Sequence, residues 1–379
     1  MTITAIRLFH LSAPLPETIG NAKIFFDRRE TLLVQVVDDS GRSGWGETWA
    51  APEPAAAVIA TQLAPVLLRH DARETGRLWH AMRAATGLGA VADMAIAALD
   101  LAIHDLAARL LDVPLHKLLG GALRDRVFAY ASGPFFKPGG HPYRNFERET
   151  AGYVDQGYRA FKLRSGYDPR DDAATALTIR KVIGPDAMLM IDFNQAYTPR
   201  AALAALARMD EVDLLWAEEP AAPSDFEGYR MLAGRVSTAL AGGETFTTAR
   251  DFAPYLLAGC MDVLQPDLAL CGGFSGVRRV ADLGDMYGRP TVPHVWGSSV
   301  NLYAALHFAA TRPAYASGGR APMPFIEVDM GPHPIMDCLG RPSLNGDGTM
   351  SVPDGPGLGI EIDPAMFSRF VTHARDIHG

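Results

Sequence analysis

The chain has 379 residues, of which 48% are hydrophobic and 21% charged, and its net charge is −8. This is the composition of a globular protein, and the acidic balance argues against a nucleic-acid backbone as a partner. The three cysteines show no metal-finger spacing, no apolar run reaches the roughly 18 residues of a membrane span, and Arg7 interrupts the first apolar segment, where a signal peptide would be continuous. We therefore predict a cytoplasmic protein that binds neither nucleic acid nor membranes.

The first third of the chain predicts an α+β module. It opens with three strand-like segments, ITAIRLFHL, RETLLVQVVDD and SGRSGWGETW, the last two joined by the turn-prone Asp39-Ser40-Gly41. Helical patterns follow, notably ADMAIAALDLAIHDLAARLLD. Strands followed by helices describe a module that caps a larger domain, so we assign residues 1–126 to an α+β capping domain. The strand-and-turn pattern of the tail predicts that residues 350–379 return to this cap.

From about residue 127, short apolar runs alternate with helix-like stretches. The eight runs are VFAYASG, AFKLRSG, MLMIDFNQ, LLWAEEP, TALAGGET, DVLQPDL, PTVPHVWG and PFIEVD. Each of the first seven precedes a segment with helical spacing of apolar residues. Such alternation indicates parallel strands joined by helical crossovers. We therefore predict a modified (β/α)8 barrel over residues 127–349, in preference to an open doubly wound sheet.

Seven of the eight predicted strands end on charged side chains. In a (β/α)8 barrel the active site lies at these carboxyl ends. The strand ends carry, in chain order, Lys162 and Arg164, Asp192 and Asn194, Glu218 and Glu219, Glu244, Asp267, His294 and Glu327. Taken singly, an acidic residue at such a position is more often a helix cap or a surface group. Their shared position on seven strands is what indicates a functional site.

Three of the carboxylates come from successive strands, one in each βα unit: Asp192, Glu218 and Glu244. They would repel one another without a cation, and an all-oxygen set suits Mg²⁺ better than zinc. Glu219 points to the other face of its strand, so we expect it to support the neighbouring strand end. His294 taken alone would also fit a buried core histidine, which is the interpretation we favour for His307 on a helical stretch.

Several motifs together resemble one family. In chain order, IDFN, AEEP, GGE, QPDLALCGGFSG, PHVWG and a late IEVD are similar to the enolase superfamily, in particular to its mandelate racemase subgroup. The resemblance extends to GWGE, to ALDLAIHDLAARLLDVPLHKLLGG and to VPDGPGLGIEID, so it covers nearly the whole chain. It implies a modified barrel with an α+β cap and one Mg²⁺ per subunit. It also implies abstraction of the proton alpha to a carboxylate, giving an enediolate that the metal stabilises.

The resemblance implies a role for each strand-end residue. The three carboxylates would ligate the metal, and His294 would act as a base that Asp267 orients and makes more basic. Glu327 would act on the opposite side as a hydrogen-bond donor or electrophile, which requires it to be protonated at the moment it is used. Lys162 and Arg164 would bind substrate or take part in proton transfer.

One position departs from the subgroup. The subgroup commonly carries Lys-x-Lys on the second strand, with the second lysine as a base on the face away from the histidine, whereas this chain has KLR and Arg164. Arginine has a pKa above about 12, so it is a poor base and a good planar partner for a carboxylate. Racemisation needs proton transfer on both faces, whereas dehydration can proceed with His294 alone. We therefore predict an acid-sugar dehydratase, a hydro-lyase that forms a 2-keto-3-deoxy acid.

Substrate contacts are expected from both parts of the chain. A likeness to galactarolactone cycloisomerase-type members in FDRR, GWGE and PHVWG makes an aldarate or its lactone the preferred substrate class. The residues expected to contact it are Lys162, Arg164, Asn194, Trp296 and Lys23. Lys23, Arg28 and Arg29 lie in the segment that such relatives use as a lid, where they either hold a second carboxylate or remain solvated. The resemblance also implies a symmetric homo-oligomer.

Two alternatives remain open. A lactone cycloisomerase, racemase or epimerase would require Lys162 or Arg164 to act as an acid or base, and it would incorporate solvent deuterium without loss of water. A catalytically silent barrel would bind a sugar acid without exchanging the alpha proton.

Overall fold

A computed structural model describes residues 1–87, 89–317 and 320–379. The N-terminal elements are β1 (Ile3–Gly20), β2 (Phe25–Asp38), β3 (Ser43–Thr48), α1 (Pro52–Val58), a π-helical turn (Ile59–Leu63), α2 (Ala64–Leu67), α3 (Thr75–Ala85), α4 (Ala90–Leu110) and α5 (Leu115–Leu118). The three predicted strands and the long predicted helix are therefore present, with the helix as α4.

The second group of elements alternates strands and helices. Its members are β4 (Arg126–Ser132), α6 (Phe146–Asp155), β5 (Ala160–Arg164), α7 (Pro169–Ile183), β6 (Met188–Asp192), α8 (Pro199–Leu206), a 3-10 turn (Asp210–Val212), β7 (Leu214–Glu218), α9 (Phe226–Ala233), β8 (Ala239–Gly242), α10 (Ala249–Leu257), β9 (Val263–Leu264), α11 (Gly273–Met286), α12 (Ser299–Ala310), β10 (Tyr315–Ser317), β11 (Arg320–Met323), β12 (Phe325–Asp329), α13 (Pro334–Leu339), β13 (Thr349–Ser351), α14 (Pro364–Phe367), a 3-10 turn (Ser368–Phe370) and β14 (Val371–His378).

The cap is built on a four-stranded antiparallel sheet in the order β14-β1-β2-β3. Two glycines let β3 lie directly against α4. A Cβ at Gly44 would lie 2.2 Å from the backbone nitrogen of Leu106, and one at Gly46 would lie 2.0 Å from the carbonyl oxygen of Ala98. No other residue type fits at these two positions without moving the helix, so the GWGE motif fixes how closely strand and helix pack.

The barrel sheet is parallel and runs in the order β12-β4-β5-β6-β7-β8-β9. A helix follows each of the first seven predicted runs, as expected. The predicted seventh strand, PTVPHVWG, is wrong as a continuous strand, because only isolated bridges join Thr291 to Leu264 and His294 to Asp267. Pro290 and Pro293 carry no N–H and interrupt the ladder there.

The last barrel unit is where the barrel departs from the regular (β/α)8 pattern. The hairpin formed by β10 and β11 precedes β12, and the helix after β12, α13, has only six residues. The chain then adds β13 antiparallel to β4 and returns to the cap, where β14 pairs with β1. The division at residues 126 and 349 stays a prediction.

The interior of the barrel changes from apolar to charged along the strands. Ala160, Met188 and Trp216 belong to an apolar cluster near the amino-terminal ends of their strands. Lys162 and Arg164 lie on the same face of β5 as Ala160 but nearer its carboxyl end, and both are buried. Within the described residues, no helix combines the length and apolar character needed to cross a membrane.

Candidate active site

The parallel strands place their terminal charged residues side by side. Arg164 pairs in register with Asp192, and Asp192 with Glu218, so these side chains lie on neighbouring strands at the same height. All three are buried, as are Lys162 and Glu327. The sequence prediction that these groups share one end of the barrel is therefore matched by their positions.

Three carboxylates form a cluster with the donor set of a hard cation. One oxygen from each of Asp192, Glu218 and Glu244 lies within 4.8 Å of the others. Glu244 Oε2 is buried and accepts no hydrogen bond from the described residues, although His294 Nε2 lies 3.3 Å away. Burial raises the pKa of Glu218 to about 7, although Lys162 opposes the shift. A buried oxygen that accepts no hydrogen bond, in an all-oxygen set of three, suits Mg²⁺, with further positions left for water or substrate.

Two cations lie beside this cluster. Lys162 Nζ is 2.5 Å from Glu218 Oε1 and 2.8 Å from Glu327 Oε1. Arg164 pairs with Asp192 and donates to Ser132 Oγ at 3.3 Å. Burial would lower the pKa of both cations, but the surrounding carboxylates raise each above its usual value. Both side chains therefore stay positively charged at neutral pH and are poor bases in this arrangement.

The residues around Glu218 explain why two glutamates end β7. Gln265 Nε2 donates to Glu218 Oε2 at 2.6 Å, a contact that sequence reasoning missed. Glu219 has a left-handed φ of 39°, which turns its side chain away from the cluster. There it accepts a hydrogen bond from Gln195 Nε2 at 2.8 Å. Glu219 thus contacts the neighbouring strand end, as expected from the alternation of side chains along a strand.

His294 and Asp267 form a buried pair. His294 Nδ1 lies 2.8 Å from Asp267 Oδ2, and its Nε2 lies 3.3 Å from Glu244 Oε2. Burial disfavours the imidazolium, but Glu244, Asp267 and Glu327 together raise the pKa of His294 to about 10. Because Nδ1 contacts Asp267, the other ring nitrogen, Nε2, is the one that faces the carboxylate cluster.

The surroundings of Glu327 favour its ionised form. Burial alone would raise its pKa, but Lys162, His294 and Arg164 lower it well below the usual value. Glu327 Oε2 also accepts a hydrogen bond from the backbone N–H of Val295 at 3.1 Å. The cationic and donor groups around the side chain thus favour a carboxylate that accepts hydrogen bonds, and protonation of Glu327 at the moment it is used stays a prediction.

A cavity of about 330 Å³ opens above the cluster and is bounded by both cap and barrel. Its lining residues are Asn21, Ile24, Phe26, Arg28, Arg29, Glu30, Trp49, Arg164, Asn194, Glu244, His294 and Trp296. Trp296 and Asn194 thus lie where substrate contacts were predicted. Lys23 is exposed, and its Nζ donates to Gln195 Oε1 at 2.9 Å. Arg29 is buried and pairs with Asp329 Oδ2 at 2.6 Å.

Asp267 of the dyad has two contacts that the sequence did not predict, one from the cap and one from α12. Trp49 Nε1 donates to Asp267 Oδ2 at 2.9 Å, and Asn301 Nδ2 donates to Asp267 Oδ1 at 2.9 Å. Trp49 follows the GWGE motif by two residues, which places it just past the end of β3. No local pattern links it to a residue 218 positions later in the chain.

Two family models match the chain. One is described as mandelate racemase / muconate lactonizing enzyme, N-terminal domain, and matches residues 15–120. The other is described as enolase C-terminal domain-like and matches residues 145–366. Together they span the cap and all the strand-end residues described above.

Individual relatives cover almost the full length. D-galactarolactone cycloisomerase of Agrobacterium fabrum is 33% identical over 98% of this chain and 99% of its own. Arabinonate dehydratase of Saccharolobus solfataricus is 28% identical over 90% of each chain. The solved structure of a racemase from Streptomyces coelicolor A3(2) with bound magnesium gives a TM-score of 0.85 at 26% identity, covering 98% of this chain and 100% of that one. Both a cycloisomerase and a dehydratase are thus among the similar proteins.

Proposed function

Because the chain belongs to the enolase superfamily, with the domain pair of the mandelate racemase and muconate lactonizing enzyme family, we propose that it abstracts the proton alpha to the carboxylate of a sugar acid. Members of this superfamily are enzymes, and the cycloisomerase and the dehydratase named above act on a sugar-acid lactone and a sugar acid, respectively. The reaction we assign is elimination of water from an aldarate or aldonate. The observation that carries this choice is Arg164, a permanent cation at the position where a second base would stand.

The metal in this proposal is Mg²⁺, one per subunit, held by Asp192, Glu218 and Glu244. When bound, the ion would supply positive charge that offsets the negative charge developing on the substrate carboxylate. The same positive charge would offset that of Glu244, which raises the pKa of His294. Lys162 and Arg164 bind and orient the substrate carboxylate, because both remain cationic near neutral pH.

His294 moves the proton in this scheme. Its Nε2 takes the proton from the alpha carbon, while Asp267 holds Nδ1 and keeps the ring in place. The carbon–oxygen bond at the beta carbon then breaks, and the imidazolium returns the proton to the departing hydroxide as water. The enol that remains becomes the 2-keto-3-deoxy acid by tautomerisation. One water leaves, and no oxidant or reductant is needed.

A lactone cycloisomerase is the second candidate. It is favoured by the aromatic side chains in the cavity wall, Phe26, Trp49 and Trp296, against which a ring face can pack better than an extended polyol chain. In that reaction the leaving group at the beta carbon is the ring ester oxygen, which departs as a carboxylate, so no water is released.

The test is a screen of purified protein with Mg²⁺ against four- to six-carbon sugar monoacids, diacids and their lactones in D₂O. Keto-acid formation from an open-chain acid supports dehydration, whereas keto acid from a lactone alone supports the cycloisomerase. Alpha-proton exchange without a keto acid indicates racemisation or epimerisation. Binding of a sugar acid without exchange would contradict the proposal and leave a non-catalytic barrel.

A further inference from the structure

The indole of Trp49 lies where the cap meets the proposed base. Its Nε1 donates to Asp267 Oδ2 at 2.9 Å, the same oxygen that contacts His294 Nδ1 at 2.8 Å. The ring centroid of Trp49 lies 6.1 Å from that of His294, with the planes tilted by 53°. One cap residue therefore contacts both members of the dyad, through a hydrogen bond to one and ring packing against the other.

Within the part of the chain that the structure describes, four donors surround the Asp267 carboxylate. Oδ2 accepts from His294 and Trp49, while Oδ1 accepts from Asn301 Nδ2 at 2.9 Å and from the backbone N–H of Ala269 at 2.7 Å. Two donors on each oxygen determine the rotation of the carboxylate about its bond to the chain. Three of these donors belong to the barrel, and Trp49 is the one that comes from the cap.

The position of Trp49 follows from tight packing next to it in the sequence. Gly44 and Gly46 hold β3 against α4, since a Cβ at either would overlap helix backbone. At the end of β3, Glu47 accepts hydrogen bonds from the backbone N–H of Ser298, at 2.8 Å and 3.1 Å, and also from its hydroxyl. Ser298 is the N-cap residue of α12, which follows the segment carrying His294. The cap is thus anchored to the barrel two residues before Trp49.

We propose that Trp49 is a positioning residue that acts through Asp267, so that the cap fixes the orientation of the barrel's base. The proposal rests on the function assigned to His294 above. It follows that Trp49→Phe, which removes the indole N–H but keeps an aromatic ring in the cavity wall, lowers the rate of proton transfer more than it weakens substrate binding, because Asp267 loses the donor that holds Oδ2 from the cap side.

The test compares Trp49→Phe with Trp79→Phe in the Mg²⁺-loaded protein. Trp79 is a matched control, since its Nε1 also makes a hydrogen bond from cap to barrel, to the Gly272 carbonyl oxygen at 3.0 Å, away from the dyad. The first readout is the Nδ1–H proton resonance of His294 in protein labelled with ¹⁵N-histidine, assigned by its loss in His294→Asn. The second is kcat and KM on the substrate that the screen identifies.

We expect Trp49→Phe to shift the His294 resonance and lower kcat by about 10-fold or more, with KM within about twofold of wild type. Trp79→Phe should leave the resonance in place. An unchanged resonance in Trp49→Phe, or an equal loss of kcat in both variants, would overturn the proposal. If Trp49→Phe does not fold, slow hydrogen exchange of the wild-type Trp49 indole N–H supports the contact, and fast exchange contradicts it.

The two readouts separate this inference from the proposed function. If no sugar acid is turned over by the wild-type protein, the function fails, and the resonance still reports whether Trp49 orients the dyad. If the wild-type protein is active and the resonance does not respond to Trp49→Phe, the function stands and the positioning role fails.

Discussion

The carboxyl ends of the barrel strands and the cap contribute to the site in different ways. Nearly every ionisable group of the cluster lies at or just past a strand end, and most are buried and held by a neighbour, as Lys162 is held between Glu218 and Glu327. The cap contributes a close strand–helix contact at Gly44 and Gly46, and one indole N–H. The barrel strands form the rigid frame that fixes the distances between the charged groups. The cap covers the cavity and contacts Asp267 through Trp49. Damage to the strand ends should therefore abolish turnover, and damage to the cap should weaken it.

On the barrel side, His294→Asn should have the most severe consequence. Because the variant removes the proposed base and keeps a similar side-chain volume, we expect turnover to fall by roughly 10³- to 10⁴-fold. Mg²⁺ binding, measured by calorimetry, should stay close to that of the wild type. Retention of more than a tenth of the wild-type rate would remove His294 from its role.

The carboxylate cluster should respond less strongly, through its affinity for the metal. Glu244→Gln keeps the shape of the side chain but removes a charge, so Mg²⁺ affinity should fall by roughly 10- to 100-fold or more. Titration calorimetry of the purified protein measures this without any substrate. Glu211→Gln, a change at an exposed site in a 3-10 turn, is the control. Equal Mg²⁺ affinity in the two variants would contradict the assignment of the ligands.

On the cap side, Gly46→Ala tests the packing that positions Trp49. The new Cβ would lie 2.0 Å from Ala98 O, so β3 or α4 must shift, and we expect a loss of roughly 2–4 kcal/mol in the free energy of unfolding. Gly76→Ala in helix α3 is the matched control, because a Cβ at that position would meet no neighbouring group within 4 Å. That control should be neutral or stabilising, by up to about 1 kcal/mol. Similar urea midpoints for both variants would show that the cap tolerates the shift.

A more modest change is expected in acid stability at His307. Burial lowers its pKa to about 4, and the ring is held by the backbone N–H of His116 and by the Leu358 carbonyl oxygen. Because the pKa is lower in the folded chain than in the unfolded one, this contribution is complete above about pH 6.5 and is lost as the pH falls toward 4.

The size of that loss is at most roughly 3 kcal/mol, from the difference in pKa between folded and unfolded states. The unfolding free energy, measured by urea titration between pH 7.5 and 4.5, should fall less steeply with decreasing pH in His307→Asn than in the wild type. The difference in slope corresponds to at most one proton fewer taken up on unfolding. The exposed His80→Asn serves as the control and should keep the wild-type slope. Parallel slopes in both variants would mean that His307 does not contribute to acid unfolding.

Much of the site could be predicted because its residues stand at the same position in successive βα units, the carboxyl end of the strand. Residues two apart on a strand share a face, and parallel strands end together, so Lys162, Asp192 and Glu218 could be placed side by side from the sequence. The seventh strand was wrongly predicted to be continuous. The apolar character of the run was given more weight than Pro290 and Pro293, which interrupt the hydrogen-bond ladder. The surroundings of Glu327 could not be predicted either, because no spacing in the sequence reveals that Lys162 lies close enough to lower its pKa.

Local periodicity and motifs were enough to predict the alternation of strands and helices, the superfamily, and which side chains stand at the strand ends. Three contacts emerged only from the folded chain: Trp49 with Asp267, Gln265 with Glu218, and Glu47 with Ser298 at the start of α12. Such hydrogen bonds form only if groups far apart in the chain are positioned to within tenths of an ångström. The packing of the folded chain sets those positions.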